Sequence, residues 1–290
     1  FKGISITLVT QVFVLIGFFL VYRLIARDFG PEGVGEYSLI KKVIGLSQSL
    51  LFLGLGAGIP RYIAMSKNKE QRANYIKTGI LAVGLSTLIF LILINSFKDY
   101  FAKLAFGTVD NTNLILPFSF FLTGLMLYSL IYSYFRGRLP IKTFNFLQIT
   151  IIALVPIIIF AFFKVDTIKE SVILIGIAVL IISIIFSLFF AKEIFIHTKK
   201  QTFINSSKEL LKYSFPRYIA SFLYTVIFSA GPMLAVHFTS IQKVGYLSIS
   251  QSLLCATGII TTPLGLILLP KVSNMILHKR ENEIKENLNY

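Results

Sequence analysis

The sequence predicts an all-α, polytopic membrane protein, and three observations carry that prediction. The 290 residues are 55% hydrophobic, with a mean hydropathy of +0.78. A water-soluble domain of this length needs a more polar surface. The charged residues, 14% of the chain, fall in clusters between apolar runs. Each run is long enough to cross roughly 30 Å of hydrocarbon as a helix, the simplest fold that leaves no backbone group unpaired in lipid.

Eight such runs are expected, at 4–24, 37–60, 76–96, 114–135, 145–163, 171–191, 216–238 and 245–270. The first two form a hairpin about Gly30-Pro31-Glu32-Gly33-Val34-Gly35. Gly33 and Gly35 are expected to take positive φ in the reversal, and Pro31 to set φ at its start. On the second run Gly54, Gly56 and Gly58 make a small face suited to close helix packing. Pro156 in the fifth run, Pro232 in the seventh and Pro263 in the eighth each remove a backbone hydrogen bond, so a kink is expected at each.

The hairpin has an echo 210 residues later. Val34-Gly35 becomes Val244-Gly245, Ser38 becomes Ser248, and Ile59-Pro60-Arg61 becomes Leu269-Pro270-Lys271. Paired hairpins at one offset point to a duplicated transporter architecture. Residues 1–191 then form a first six-helix lobe. Residues 192–215 are a cytoplasmic linker, whose SSKELLKY stretch suits a short amphipathic helix on the membrane surface. Residues 216–290 open an incomplete second lobe with two helices. The chain begins at Phe1 and the echo stops after two helices, so the sequence reads as a piece of a longer two-lobe protein.

Basic residues set the orientation. With the start inside, nineteen Lys and Arg lie on the inner side and six in the outer loops. The excess belongs on the cytoplasmic side of a cell membrane. The net charge of +15 therefore orients the chain in a bilayer and does not argue for nucleic acid. Cys255, the single cysteine, allows no intrachain disulfide or cysteine-built metal site. His197, His237 and His278 lack metal spacing, and no glycine loop precedes a lysine as in nucleotide motors. The thirteen Asp and Glu sit in loops or at interfaces. Neither a catalytic centre nor a cofactor is expected, and a deep carboxylate of the kind used by cation-coupled exporters is missing from the runs.

Four cations stand out. Arg23 and Arg27 share a helix face if the first helix runs that far, and Lys41 and Lys42 lie about two turns past the glycines. Two readings stay open. The four snorkel to the outer interface, or they form the positive rim and wall of an internal cavity. In the echo, positions 27, 41 and 42 become His237, Gln251 and Ser252, which remain polar.

The run RLIARDFGPEGVGEYSLIKKVIGLSQSLLFLGLGAGIPRYIA resembles the N-terminal hairpin of O-antigen-type polysaccharide biosynthesis flippases, of the multidrug/oligosaccharidyl-lipid/polysaccharide exporter superfamily. Arg27, Gly30, Pro31, Gly33, Gly35, Tyr37 and the exit from Gly54 to Arg61 fit that pattern. The resemblance implies two six-helix bundles facing a central cavity, of which an eighth helix is the last visible here. It implies movement of a polyprenyl-pyrophosphate-linked oligosaccharide from the inner to the outer leaflet. Lipid-linked glycan, membrane lipids and polysaccharide-assembly proteins are the partners implied. Arg23, Arg27, Lys41, Lys42 and His237 would meet the anion, and Gln48, Gln251, Tyr128 and Tyr132 the sugars. Outward movement of an anion gains roughly 2.3 kcal/mol per charge per 100 mV, so no motor domain is required. Two alternatives are a cation-coupled drug or metabolite exporter of the same fold, and a membrane enzyme of polysaccharide assembly. A deep carboxylate would favour the first, and a catalytic acid or metal cluster the second.

Overall fold

The computed structural model describes residues 2–196, 200–255 and 261–277, and all regular structure there is helical. The helices are α1 (Lys2–Leu51), α2 (Leu55–Met65), α3 (Lys69–Ser96), α4 (Lys98–Phe106), α5 (Ile115–Arg138), α6 (Ile141–Ile149), α7 (Val155–Phe162), α8 (Ile168–Ile194), α9 (Lys200–Ala235), α10 (Ile241–Cys255) and α11 (Thr261–Leu277). Among the described residues, six helical stretches are long and apolar enough to cross a membrane. Their outward faces are apolar. On α3, Leu81, Leu85, Leu88 and Ile92 are all more than half exposed and share one helical face. Such a stripe is costly in water and suited to lipid, as in a multi-pass membrane protein.

α1 is a hairpin. Tyr22 and Ser38 meet at 3.1 Å between hydroxyls, Tyr22 and Tyr37 rings are 5.8 Å apart, and Lys41 Nζ lies 5.7 Å from the Phe18 ring. A straight helix would separate Tyr22 from Ser38 by about 24 Å. The reversal sits at Gly30 alone (φ 65, ψ −168), with Pro31 opening the second arm. This corrects the expectation for Gly33 and Gly35, which are helical. One glycine with positive φ is enough to turn the chain, and the other two serve packing. A Cβ on Gly35 would stand 2.0 Å from the Ile241 carbonyl oxygen.

The second expected span, 37–60, is also interrupted. Leu53 (φ 52) and Gly54 (φ 70) break it, and α2 restarts at Leu55. The small face does bring a neighbour close. A Cβ on Gly54 would meet the Ser214 carbonyl oxygen at 2.2 Å, and one on Gly58 the Ser214 hydroxyl at 2.1 Å. Gly56 instead faces Phe52 of its own segment.

In the fifth span the distortion begins ahead of Pro156. Residues Thr150–Leu154 form a π-helical turn, and Pro156 then falls in the first turn of α7, where a missing N–H costs little. The expected linker and surface helix are one element with the seventh span, since α9 runs from Lys200 through Pro216 and Pro232. Ser206, Leu210 and Ser214, spaced by four, are buried, so this stretch packs as a helical face against α2 and α3. The expected 245–270 span is covered by α10 and α11, and its residues 256–260 lie outside the described residues. So do His197, His278 and the basic residues Lys199, Lys279, Arg280 and Lys285.

α5 is the central helix, buried along most of its length. It touches α8 through glycines. A Cβ on Gly124 would lie 3.0 Å from the Gly176 carbonyl oxygen, so both backbones approach closely without a hydrophobic driving force in lipid. Two pairs of positions separated by the 210-residue offset also touch. A Cβ on Gly245 would be 2.9 Å from the Gly35 nitrogen, and the Asn274 amide donates to the Ala64 carbonyl at 3.1 Å.

Candidate functional site

The structure divides the expected cluster into three places. Arg23 and Arg27 are exposed on the first arm of α1. Arg27 forms a two-pronged pair with its neighbour Asp28 at 2.6 and 2.9 Å. With the Arg27 side chain 64% exposed, water screens most of that attraction. His237 is exposed as well, with Nε2 3.3 Å from the Leu104 carbonyl oxygen.

Lys41 and Lys42 point inward on the second arm. Lys41 Nζ lies 5.7 Å from the Phe18 ring centre and 5.6 Å from that of Tyr37, so two π faces attract it. Among the described residues no carboxylate pairs with Lys41. Lys42 reaches the other hairpin and donates to the Phe228 carbonyl at 3.0 Å. Phe228 is the position 210 residues after Phe18. Gln251, on α10, lies against Gly231 of α9, one turn beyond Phe228. Its Oε1 is buried without a hydrogen-bond partner among the described residues.

Gln48 faces α5, where its amide donates to the Ser129 hydroxyl at 2.6 Å. A polar thread continues from there. Tyr128, Tyr132 and Arg136 follow at four-residue spacing on α5. The two tyrosine rings are 5.5 Å apart, and the Arg136 guanidinium lies 5.8 Å from Tyr132. Tyr132 donates to Gln148 at 3.1 Å, Gln148 meets Gln11 at 3.4 Å, and Asn145 donates to Thr7 at 3.0 Å. Arg136 is 8% exposed and donates to the Gly56 carbonyl at 3.2 Å. It is one of the nineteen basic residues assigned to the inner side, and its burial was not evident from that count, although its spacing from two tyrosines was visible.

A second set gathers around Arg61, which the sequence marked only as a pattern and echo position, not as a site residue. Arg61, directly after Pro60, lies 4.2 Å from the ring centre of Tyr213, and Arg217 lies 3.6 Å from the same ring. Tyr62 packs edge-on against Tyr213 at 5.6 Å. Nearby, Glu193 joins Arg72 (3.3 Å) and Arg138 (4.0 Å) across α3, α5 and α8. The i, i+4 spacing of Tyr213 and Arg217 was the only available sign.

Among the described residues no three His, Cys, Asp or Glu side chains gather as a metal site. The arrangement presents fixed cations, aromatic faces and amides, a chemistry suited to an anion bearing polar groups. The profile of the family described as "Polysaccharide biosynthesis protein" matches residues 1–276. A solved structure described as "protein A" superposes with a TM-score of 0.78 at 15% identity, over 99% of this chain and 67% of that one. At that identity the likeness speaks to the fold alone. No curated protein sequence matches the chain.

Proposed function

This chain belongs to the polysaccharide biosynthesis protein family, and from that premise we propose that it is a flippase of the cell membrane. It carries a polyprenyl-pyrophosphate-linked oligosaccharide from the inner to the outer leaflet, as a transporter and not as an enzyme. The carrying observation is Lys41: a cation within a membrane-spanning hairpin, held by two aromatic rings and by no carboxylate among the described residues. A pyrophosphate oxygen supplies the charge-assisted partner that the rings do not. Lys42, reaching across to Phe228, places a second cation on the seam between the two hairpins. Gln48, Gln251, Tyr128 and Tyr132 offer amides and rings to sugars.

In this reading residues 1–191 are the first lobe and α9 to α11 begin the second. The two contacts at the 210-residue offset support it, because equivalent positions meet only near an axis relating two copies. The test is the full-length protein in vesicles loaded with a fluorescent polyprenyl-pyrophosphate disaccharide. Lys41→Gln should reduce flipping about tenfold or more while leaving the amount of folded protein unchanged. Lys41→Arg should restore part of it. Wild-type flipping by Lys41→Gln removes Lys41 from the site.

A further inference from the structure

We infer that Arg61, Tyr213 and Arg217 form a separate receiving site for a pyrophosphate group, at the opposite end of the seam from the Gly30 reversal. The inference deepens the flippase reading and rests on it for the lipid attached to that group.

Two positive guanidinium groups contact one tyrosine ring, at 4.2 and 3.6 Å. Such an arrangement repels itself unless an anion joins it. Among the described residues neither arginine has a carboxylate within ion-pair distance. The nearest acids among the described residues lie outside ion-pair distance of both arginines. Glu209 accepts from the Tyr75 hydroxyl at 2.8 Å, and Glu193 serves Arg72 and Arg138. Arg217 spends one donor on the Tyr213 carbonyl at 3.2 Å. Among the described residues, Arg61 Nε and the Tyr213 hydroxyl are both buried without a hydrogen-bond partner. Burial of Arg61 Nε separates this cluster from an ordinary surface arginine, whose head stays in water.

The unmet capacity is for acceptors, since guanidinium only donates and the phenol can donate. An anion with several oxygens on a compact centre matches two forks better than a single carboxylate does. The place is also suited to reception. Arg61 comes from α2, and Tyr213 and Arg217 from α9, so the cluster spans the seam between the two hairpins. Gly54 and Gly58 let α9 approach closely enough for Arg61 to reach the ring.

The experiment uses the full-length protein in nanodiscs and isothermal titration with three probes: geranylgeranyl pyrophosphate, inorganic pyrophosphate and geranylgeraniol. Arg61→Gln and Arg217→Gln should each weaken pyrophosphate binding about tenfold or more, and Arg61→Lys should recover part of it. Lys98→Gln, at the exposed start of α4, should change nothing. Tighter binding of the lipid form than of inorganic pyrophosphate assigns the site to a lipid headgroup, and equal binding assigns it to the free anion. Wild-type affinity in both glutamine variants, or equal binding of geranylgeraniol, overturns the inference. Arg217 is exposed, so its variant should fold even if the Arg61 variant does not. Arg61-dependent binding without any flipping would sink the flippase reading and leave this site standing. Flipping that depends on Lys41, with binding indifferent to Arg61 and Arg217, would do the reverse.

Discussion

The seam between the first hairpin and the second has two ends, and they are built differently. At the Gly35 end, α1 and α10 meet backbone to backbone. The space a Cβ would need at Gly35 is taken by the Ile241 carbonyl, and Gly245 lies against Gly35 itself. At the Arg61 end the same device appears, with Gly54 and Gly58 against Ser214. There it is overlaid by side chains: the Tyr213 ring with its two arginines, Tyr62 against it, and Asn274 bonded to Ala64. Close approach by glycine is common to both ends, and a ring flanked by two guanidinium groups is found at the Arg61 end. A contact carrying guanidinium groups and buried donors also offers hydrogen bonds to an anion.

Three substitutions test that contrast, from the largest expected effect to the smallest. Gly54→Ala adds a Cβ where φ is +70 and the Ser214 carbonyl oxygen is 2.2 Å away. Backbone strain and overpacking together should cost about 2–4 kcal/mol, read as a lowered midpoint of thermal unfolding in detergent. An unchanged midpoint would mean that α2 and α9 are not in contact at this point. Gly35→Ala has no strain from φ, only the collision with Ile241. It should cost about 1–3 kcal/mol, or instead push the Gly35 end apart. Cysteines placed at positions 34 and 246 in a Cys255-free background would report the separation, as slower cross-linking than with Gly35 intact. Equal cross-linking and equal stability would show that glycine is not needed there. Asn274→Ala removes one interhelical hydrogen bond, worth about 0.5–1 kcal/mol in a membrane bundle. A loss several times larger, by the same unfolding measurement, would make Asn274 part of a wider network.

Much of the architecture was legible because lipid leaves few choices. Apolar length translates into spans, so the hairpin at Gly30, the third span and the sixth were all placed close to α1, α3 and α8. The interruptions were harder. Gly54 was visible as a small residue, yet nothing local distinguishes a glycine that packs from one that takes φ 70 and ends a helix. Lys192 to Arg217 looked like a linker because it is polar. It is largely helical because every fourth residue from Ser206 finds a buried place against α2 and α3. Tertiary contact there outweighs composition.

For the site, the sequence named the lysines and could not separate their fates. Adjacent residues on a helix point about 100° apart, so Lys41 turns to Phe18 and Tyr37 while Lys42 turns to Phe228. Arg23 and Arg27 do share a face, as their spacing requires, and that face is exposed.

By itself, then, the sequence determined the helical class, the multi-pass habit, a reversal somewhere within Gly30–Gly35 and the 210-residue echo. Each depends on hydropathy or backbone freedom, which a residue carries wherever it sits. Only the tertiary structure decided that Arg61 meets Tyr213, that Arg136 is buried beneath Gly56, and that Gly35 touches Gly245. Those meetings depend on how each helix is rotated and how deeply it is set against its neighbours, and that is fixed by shape matching between helices far apart in the chain.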